Sequence, residues 1–279
     1  MLLSILIPGK NDNFRYNGSK TLEMNLSQTI DNLHKLGADD VEVMLCDWGS
    51  EKKIIEHVVT KKHKNFKCAY VSPKIAKKYN GQANYSIVHP INTAFRRSSG
   101  EFVVFWDSDC FLQYETFASL YNFVKNMKTQ NDMKFYWGSR FHVPFEMYTD
   151  LKDNEELSSI LYKDPSLHHD KIGGSSDFRG ASIILLMNRV LWESSSGWYE
   201  ELPYWGWQDI EFHNRLLQKY EYGGDLEDVD GMKFYHLNQP VVMDGSKNKH
   251  LFNKSLNAPF FYANKVDWGL AKEEVEIIQ

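Results

Sequence analysis

The sequence predicts an α/β fold: a Rossmann-like, mostly parallel, doubly wound sheet followed by an irregular second half. Short β-type runs alternate with stretches of helical periodicity through the first half of the chain. Phe102–Trp106 is a continuous apolar run, the pattern of a strand buried on both faces of a parallel sheet. After residue 150 the alternation gives way to polar, loop-like sequence. A β-α-β-α series folds through right-handed crossovers, and such sheets bind ligands outside the carboxyl ends of their strands.

Taken in order, Ser4–Pro8 is a compact apolar strand closed by Pro8-Gly9. Leu22, Leu26, Ile30 and Leu33 recur at helical spacing, and Gly37 supplies the stop. Val41–Cys46 is a second strand, and Ser50 stands where it would cap a helix carrying Ile54, Ile55, Val58 and Val59. Lys67–Val71 is a third strand; Ile87, Ile91, Ala94 and Phe95 mark a helix ending before Gly100. The run Phe102–Trp106 is the fourth strand. Phe117, Leu120, Tyr121, Val124 and Met127 make the next helix, followed by a strand near Lys134–Trp137. Asp150–Ser176 reads as a long polar loop. An apolar run at Ser182–Met187, a helix over Asp209–Lys219 and a short strand at Lys233–Leu237 come next. Lys247–Asn253 is basic and polar and is expected to be mobile. Without a repeat or a linker, residues 1–279 read as one domain.

Composition narrows the function classes. A chain of 279 residues with 42% hydrophobic and 25% charged residues holds its own core, which excludes wholesale disorder. A formal net charge of −5 argues against nucleic acid as a partner. No run approaches the roughly 20 apolar residues of a membrane span. The first residues, Met1 to Gly9, lack a basic leader, so a cytoplasmic protein with no export signal is expected. Cys46, Cys68 and Cys110 are dispersed, which points neither to zinc nor to a disulfide framework. The 8 Trp, 15 Tyr and 17 Phe exceed what such a core ordinarily requires, and aromatic faces suit sugar rings.

Three acidic sites carry the chemistry. The fourth strand runs straight into Asp107-Ser108-Asp109. On an extended chain Asp107 and Asp109 point to one side, where a hard divalent cation, Mg²⁺ or Mn²⁺, relieves their repulsion and leaves positions open for phosphates. The competing reading is an Asx turn. Asp47, ending the second strand, is placed to accept from a base N–H or a ribose hydroxyl, or else is a turn residue. Gly197-Trp198-Tyr199-Glu200-Glu201 and Trp205-Gly206-Trp207-Gln208-Asp209-Ile210-Glu211 form an aromatic loop entering a helix. The helix start favours an ionised Asp209, which can act as a general base, although acids are common there for helix stability alone. His236, in the strand Phe234–Leu237, is either a metal ligand or a core histidine.

In this order the pieces resemble the GT-A glycosyltransferases of the family 2 type, with a family 7-like galactosyltransferase signature in the second half. Ile5–Pro8 resembles their first strand, Asp47-Trp48-Gly49-Ser50 the D-x-x-S after the second, and Gly100 through Asp109 the strand ending in D-x-D. Gly206 through Leu216 resembles the family 7 signature, with Gln208 in place of a Glu. Asn92 lies where the family often carries R-N-x-G, and the Arg is absent. The resemblance implies that Pro8, Asp47, Asn92, Asp107, Ser108, Asp109, Arg179 and Gly180 surround the nucleotide-sugar. It also implies that Asp107, Asp109 and His236 hold Mn²⁺ or Mg²⁺, and that Glu200, Trp205, Gly206, Trp207 and Gln208 line the acceptor or donor-sugar site. Asp209 would be the base of an inverting transfer from a UDP-sugar to a hydroxyl of a glycan or glycolipid, in polysaccharide biosynthesis and with peripheral membrane contact. Residues 1–140 would be the nucleotide half, 141–245 the acceptor half and 246–279 an extension. Two alternatives are a sugar-phosphate nucleotidyltransferase and a non-catalytic glycan-binding module. For the first, the turn Pro8-Gly9-Lys10-Asn11-Asp12 is poor in glycine and basic residues. The second leaves the acidic strand ends without a purpose.

Overall fold

Hydrophobic periodicity in the first half is realised as two helical layers around a central sheet. The computed structural model describes residues 1–11, 18–59, 61–151, 153–163, 171–172, 184–238, 246–255 and 264–279. The elements are β1 (Leu3–Gly9), α1 (Gly18–Leu36), β2 (Val41–Trp48), α2 (Ile54–His57), β3 (Phe66–Val71), α3 (Pro73–Asn80), α4 (Val88–Arg97) and β4 (Phe102–Trp106). There follow β5 (Cys110–Phe111), α5 (Tyr114–Gln130), β6 (Phe135–Gly138), β7 (Arg140–Val143), α6 (Phe145–Tyr148), α7 (Asn154–Lys163) and β8 (Lys171–Ile172). The remainder are β9 (Ile184–Asn188), α8 (Arg189–Ser194), α9 (Gln208–Leu217), β10 (Tyr222–Asp225), α10 (Leu226–Asp230), β11 (Phe234–Leu237), α11 (Ser246–Ser255) and β12 (Glu276–Ile278).

The large sheet runs β10-β6-β9-β4-β1-β2-β3-β12, and a small sheet runs β5-β11-β7-β8. The expected parallel core is there: β1 pairs in parallel with β2 and β4, and β2 with β3. Side chains alternate across it as a period of two demands. Ile5, Ile7, Val104 and Trp106 enter the core that α1 and α5 cover, while Leu6, Val103 and Phe105 enter the one beneath α4 and α9. A third cluster, with Phe141, Tyr148, Leu157, Leu161 and Tyr235, lies under the small sheet.

Several expectations are corrected. The strand near Lys134–Trp137 does not extend the parallel series directly, because β9 inserts antiparallel between β4 and β6. Ser50 caps no helix; its Oγ accepts from Asn11 N at 2.7 Å, and α2 is only four residues long. Helix α3, unforeseen, is capped by Ser72, which accepts from Ile75 N, and has Pro73 in its first turn. The supposed loop Asp150–Ser176 contains α7, with Leu157 and Leu161 buried, and β8; residues 164–170 and 173–176 lie outside the described residues. Lys247–Asn253 falls within α11, where Asn248 and Phe252 are buried. Among the described residues no helix is long and apolar enough to cross a membrane.

Candidate active site

The carboxyl end of β4 is where the chain leaves one sheet for the other. It does so in a turn, Cys110 N donating to Asp107 O at 3.1 Å, so the acidic triplet is not extended as expected. The turn is anchored from α1, where Asn25 Nδ2 donates to the carbonyls of Asp107 and Ser108, each at 3.0 Å. Turning separates the two carboxylates in role. Asp107 Oδ1 accepts from the Ser108 amide at 2.9 Å, one residue on rather than the two of an Asx turn. Asp109, only 2% exposed, lies on the β5–β11 ladder, where Leu237 N donates to its carbonyl at 2.9 Å. That register brings His236 Nε2 to 3.2 Å from Asp109 Oδ2.

Two further residues complete this corner. His142 is the register partner of His236 on β7, and Asn238 follows β11. Asn238 Oδ1 lies 2.8 Å from His142 Nδ1 and 3.1 Å from His236 Nδ1. Burial, and then Asp109, push the Tyr148 phenol well above its usual range, and its hydroxyl donates to the Asn238 carbonyl. Sequence reasoning passed over His142, which reads as one polar residue in a short β-run, and the pairing that makes it relevant is non-local.

The donor chemistry fits a divalent cation. Asp109 would supply an oxygen and His236 an imidazole nitrogen, a mixed set that suits Mn²⁺ better than Mg²⁺. Among the described residues no group of three or more His, Cys, Asp or Glu forms a cation cage. Held by these two residues, a cation would keep positions for substrate oxygens.

At the end of β2, Asp47 is fully buried and its Oδ2 accepts from Ile54 N, the first amide of α2, at 2.8 Å, while Lys53 holds the N-cap position. Burial raises its pKa, with contacts from Ser50 and the Ile54 amide opposing. Its Oδ1 is buried without a hydrogen-bond partner. Pro8, at the end of β1, is buried. Asn92, on α4, commits its amide to the loop after α8. Its Oδ1 accepts from Trp198 N at 2.9 Å, and its Nδ2 donates to Trp198 O at 2.7 Å and Glu200 Oε1 at 3.0 Å. Gly197 has φ +67°, and a Cβ there would meet Asn92 Oδ1 at 2.5 Å, so only glycine lets the loop approach this closely.

The same Glu200 oxygen accepts from Gly269 N at 2.8 Å, and Asn264 Oδ1 accepts from Glu200 N at 2.9 Å. Trp198 is core, edge-on to Phe105 at 5.1 Å, and does not join an exposed ring cluster. Trp205 is 51% exposed. Gly206 and Trp207 both have positive φ, 84° and 71°, which swings the chain into α9. Trp207 lies against Phe252 at 5.2 Å, and Gln208 is buried, its amide donating to Tyr204 O. Asp209 is half-buried in the first turn, its Oδ1 accepting from Ile210 N at 2.9 Å. Glu211 and Arg215 are structural: Arg215 holds both Glu211 oxygens at 2.8 Å and donates to the carbonyls of Ser195 and Gly197.

The structure thus gathers Asp107, Ser108, Asp109 and His236 at one corner, Asn92 with Glu200 at another, and Trp205 to Asp209 as one continuous turn. Arg179 and Gly180 lie outside the described residues. Residues 19–224 match the family described as glycosyltransferase like family 2. No curated protein matches the chain. Among solved structures, S. aureus TarS 1–349 is similar at 15% identity and a TM-score of 0.49, over 92% of this chain and 71% of that one. The same TarS fragment in complex with UDP-GlcNAc is similar at 14% identity and a TM-score of 0.48, over 92% and 66%.

Proposed function

This chain belongs to the family 2-like glycosyltransferases, and from that premise we propose a metal-dependent, inverting enzyme that moves a sugar from a UDP-sugar to a hydroxyl of a glycan acceptor. The observation that carries this reading is the 3.2 Å approach of Asp109 and His236 at the ligand-binding edge of the sheet. A divalent cation, when bound there, supplies positive charge against the departing diphosphate. Asp47 and Asn92 belong to the nucleotide side, Asn92 by bracing the loop that carries Glu200. In the family 7-like signature, Trp205 offers an exposed face to a sugar ring and Asp209 faces the acceptor.

Asp209 accepts the proton of the acceptor hydroxyl. The freed oxygen forms a bond to the anomeric carbon while the bond from that carbon to the diphosphate breaks, which inverts the centre. The first-turn position of Asp209 sets its carboxylate beside the free amides and the positive dipole end of α9. General-base assistance contributes about 10²–10⁴-fold. Asp209→Asn is therefore expected to lose at least about 10²-fold in turnover while still binding donor, as read by melting temperature with UDP-sugars and Mn²⁺. Near-normal turnover would remove Asp209 from the role, and a donor-induced shift that needs no metal would remove the cation.

A further inference from the structure

We propose that Asn238 is a positioning residue that fixes the tautomer of His236. The inference rests on the metal-site reading above and concerns a residue with no part in the acidic motif. Asn238 Oδ1 is an acceptor only, so each imidazole nitrogen beside it must carry its proton inward. Both rings present Nδ1, His142 at 2.8 Å and His236 at 3.1 Å, and the two Nδ1 atoms approach to 3.3 Å around the shared oxygen. One amide oxygen has two lone pairs, enough to accept from both rings.

The amide itself is held in place by its backbone. Asn238 N donates to Val143 O at 3.0 Å, and its carbonyl accepts from the Tyr148 hydroxyl. With Nδ1 of His236 occupied, Nε2 is the nitrogen turned toward Asp109 Oδ2 at 3.2 Å. With its proton on Nδ1, the ring would offer the Nε2 lone pair to a cation held jointly with the Asp109 carboxylate. Outer partners of this kind, which orient a ligating histidine, typically affect metal affinity by about 10- to 100-fold.

The test uses ¹⁵N-histidine-labelled, metal-free protein at a pH of about 8.5, above the ordinary histidine range. The His236 signal is assigned by its loss in His236→Gln. Wild type is expected to show His236 protonated at Nδ1. In Asn238→Ala the acceptors within reach of the ring are Asp109 Oδ2, 3.2 Å from Nε2, and His142 Nδ1, 3.3 Å from Nδ1; the carboxylate is the stronger, so the proton is expected to move to Nε2. Asn238→Asp keeps an acceptor oxygen and should restore the Nδ1 proton. Calorimetry with Mn²⁺ alone should show affinity falling about 10- to 100-fold in the alanine variant. A bare Nδ1 in wild type, or an unchanged ring in Asn238→Ala, overturns the proposal. Wild type with a protonated Nδ1 and no Mn²⁺ binding would instead sink the metal reading and leave the positioning role standing.

Discussion

Asp47 shows what a buried carboxylate contributes at the scale of one residue. It is wholly buried, and burial raises its pKa above the ordinary value of about 3.9. A raised pKa means that the folded protein binds this proton more tightly than the unfolded chain. Its effect on stability therefore has a definite sign: stability falls as pH climbs from the unfolded value through the folded one, and is level above both. Asp47→Asn keeps an oxygen for the Ile54 amide and has no charge to bury. The variant's stability advantage over wild type should grow with pH across that window and then stay constant. Urea midpoints of both proteins from pH 4 to pH 8 check this. A pH-independent difference would mean that Asp47 ionises as freely in the fold as outside it. If Asp47 also serves the nucleobase, the same substitution weakens donor binding, so stability and affinity should move in opposite directions.

Among the elements, α11 is a clasp on the aromatic turn. Asn248 is completely buried; its Oδ1 accepts from Tyr204 N at 3.0 Å, and its Nδ2 donates to Gly206 O at 2.7 Å and to Tyr204 O. Three groups of the turn that presents Trp205 and leads to Asp209 thus bond to one side chain, Tyr204 O also accepting from Gln208. Asn248→Ala should cost about 1–3 kcal/mol for each backbone group left buried and dry. With the turn loosened, acceptor KM should rise while donor KM holds, and steady-state kinetics with each substrate varied in turn would show it. An equal rise in both would place the effect on the whole fold. This helix also shows why some elements escape a sequence reading. Hydrophobic periodicity finds a helix by its apolar stripe, and the inward face of α11 carries Asn248 with Phe252, so there was almost no stripe to find. α7 buries only Leu157 and Leu161 in a polar stretch, and α3 announced itself through Ser72-Pro73, a capping signal rather than a periodic one. The helices with full stripes, α1, α4 and α5, were legible in outline.

Over the whole molecule, legibility divides between local and non-local information. The strands β1 to β4 carry their burial in their own residues, so the parallel core and the acid at its edge could be read directly. The insertion of β9, and the register that sets His236 against Asp109, depend on segments far apart in the chain, and no local pattern encodes them. The C-terminal segment is the largest case. Expected as an appendage, it buries Trp268 and Leu270 against Phe95 and its surroundings, and Arg97 donates to the carbonyls of Gly269 and Leu270. It ends as β12, antiparallel to β3, which covers the edge of the large sheet from Cys68 to Tyr70. An uncovered edge presents a row of unpaired backbone groups to another chain. A protein shortened to residue 274 should therefore unfold at lower urea and associate as its concentration rises, as read by light scattering. The loss of the Lys53–Glu276 ion pair, at 2.8 Å, is a rival cause. That pair lies at the surface, where solvent screens it and it contributes little. Glu276→Gln removes the pair and keeps the strand, so it separates the two. If Glu276→Gln reproduces the shortened protein, the ion pair is responsible. If the shortened protein stays monomeric with an unchanged midpoint, β12 does not protect the edge. Association in the shortened protein alone would tie the stability of the sheet to the segment that also holds Glu200 through Asn264 and Gly269.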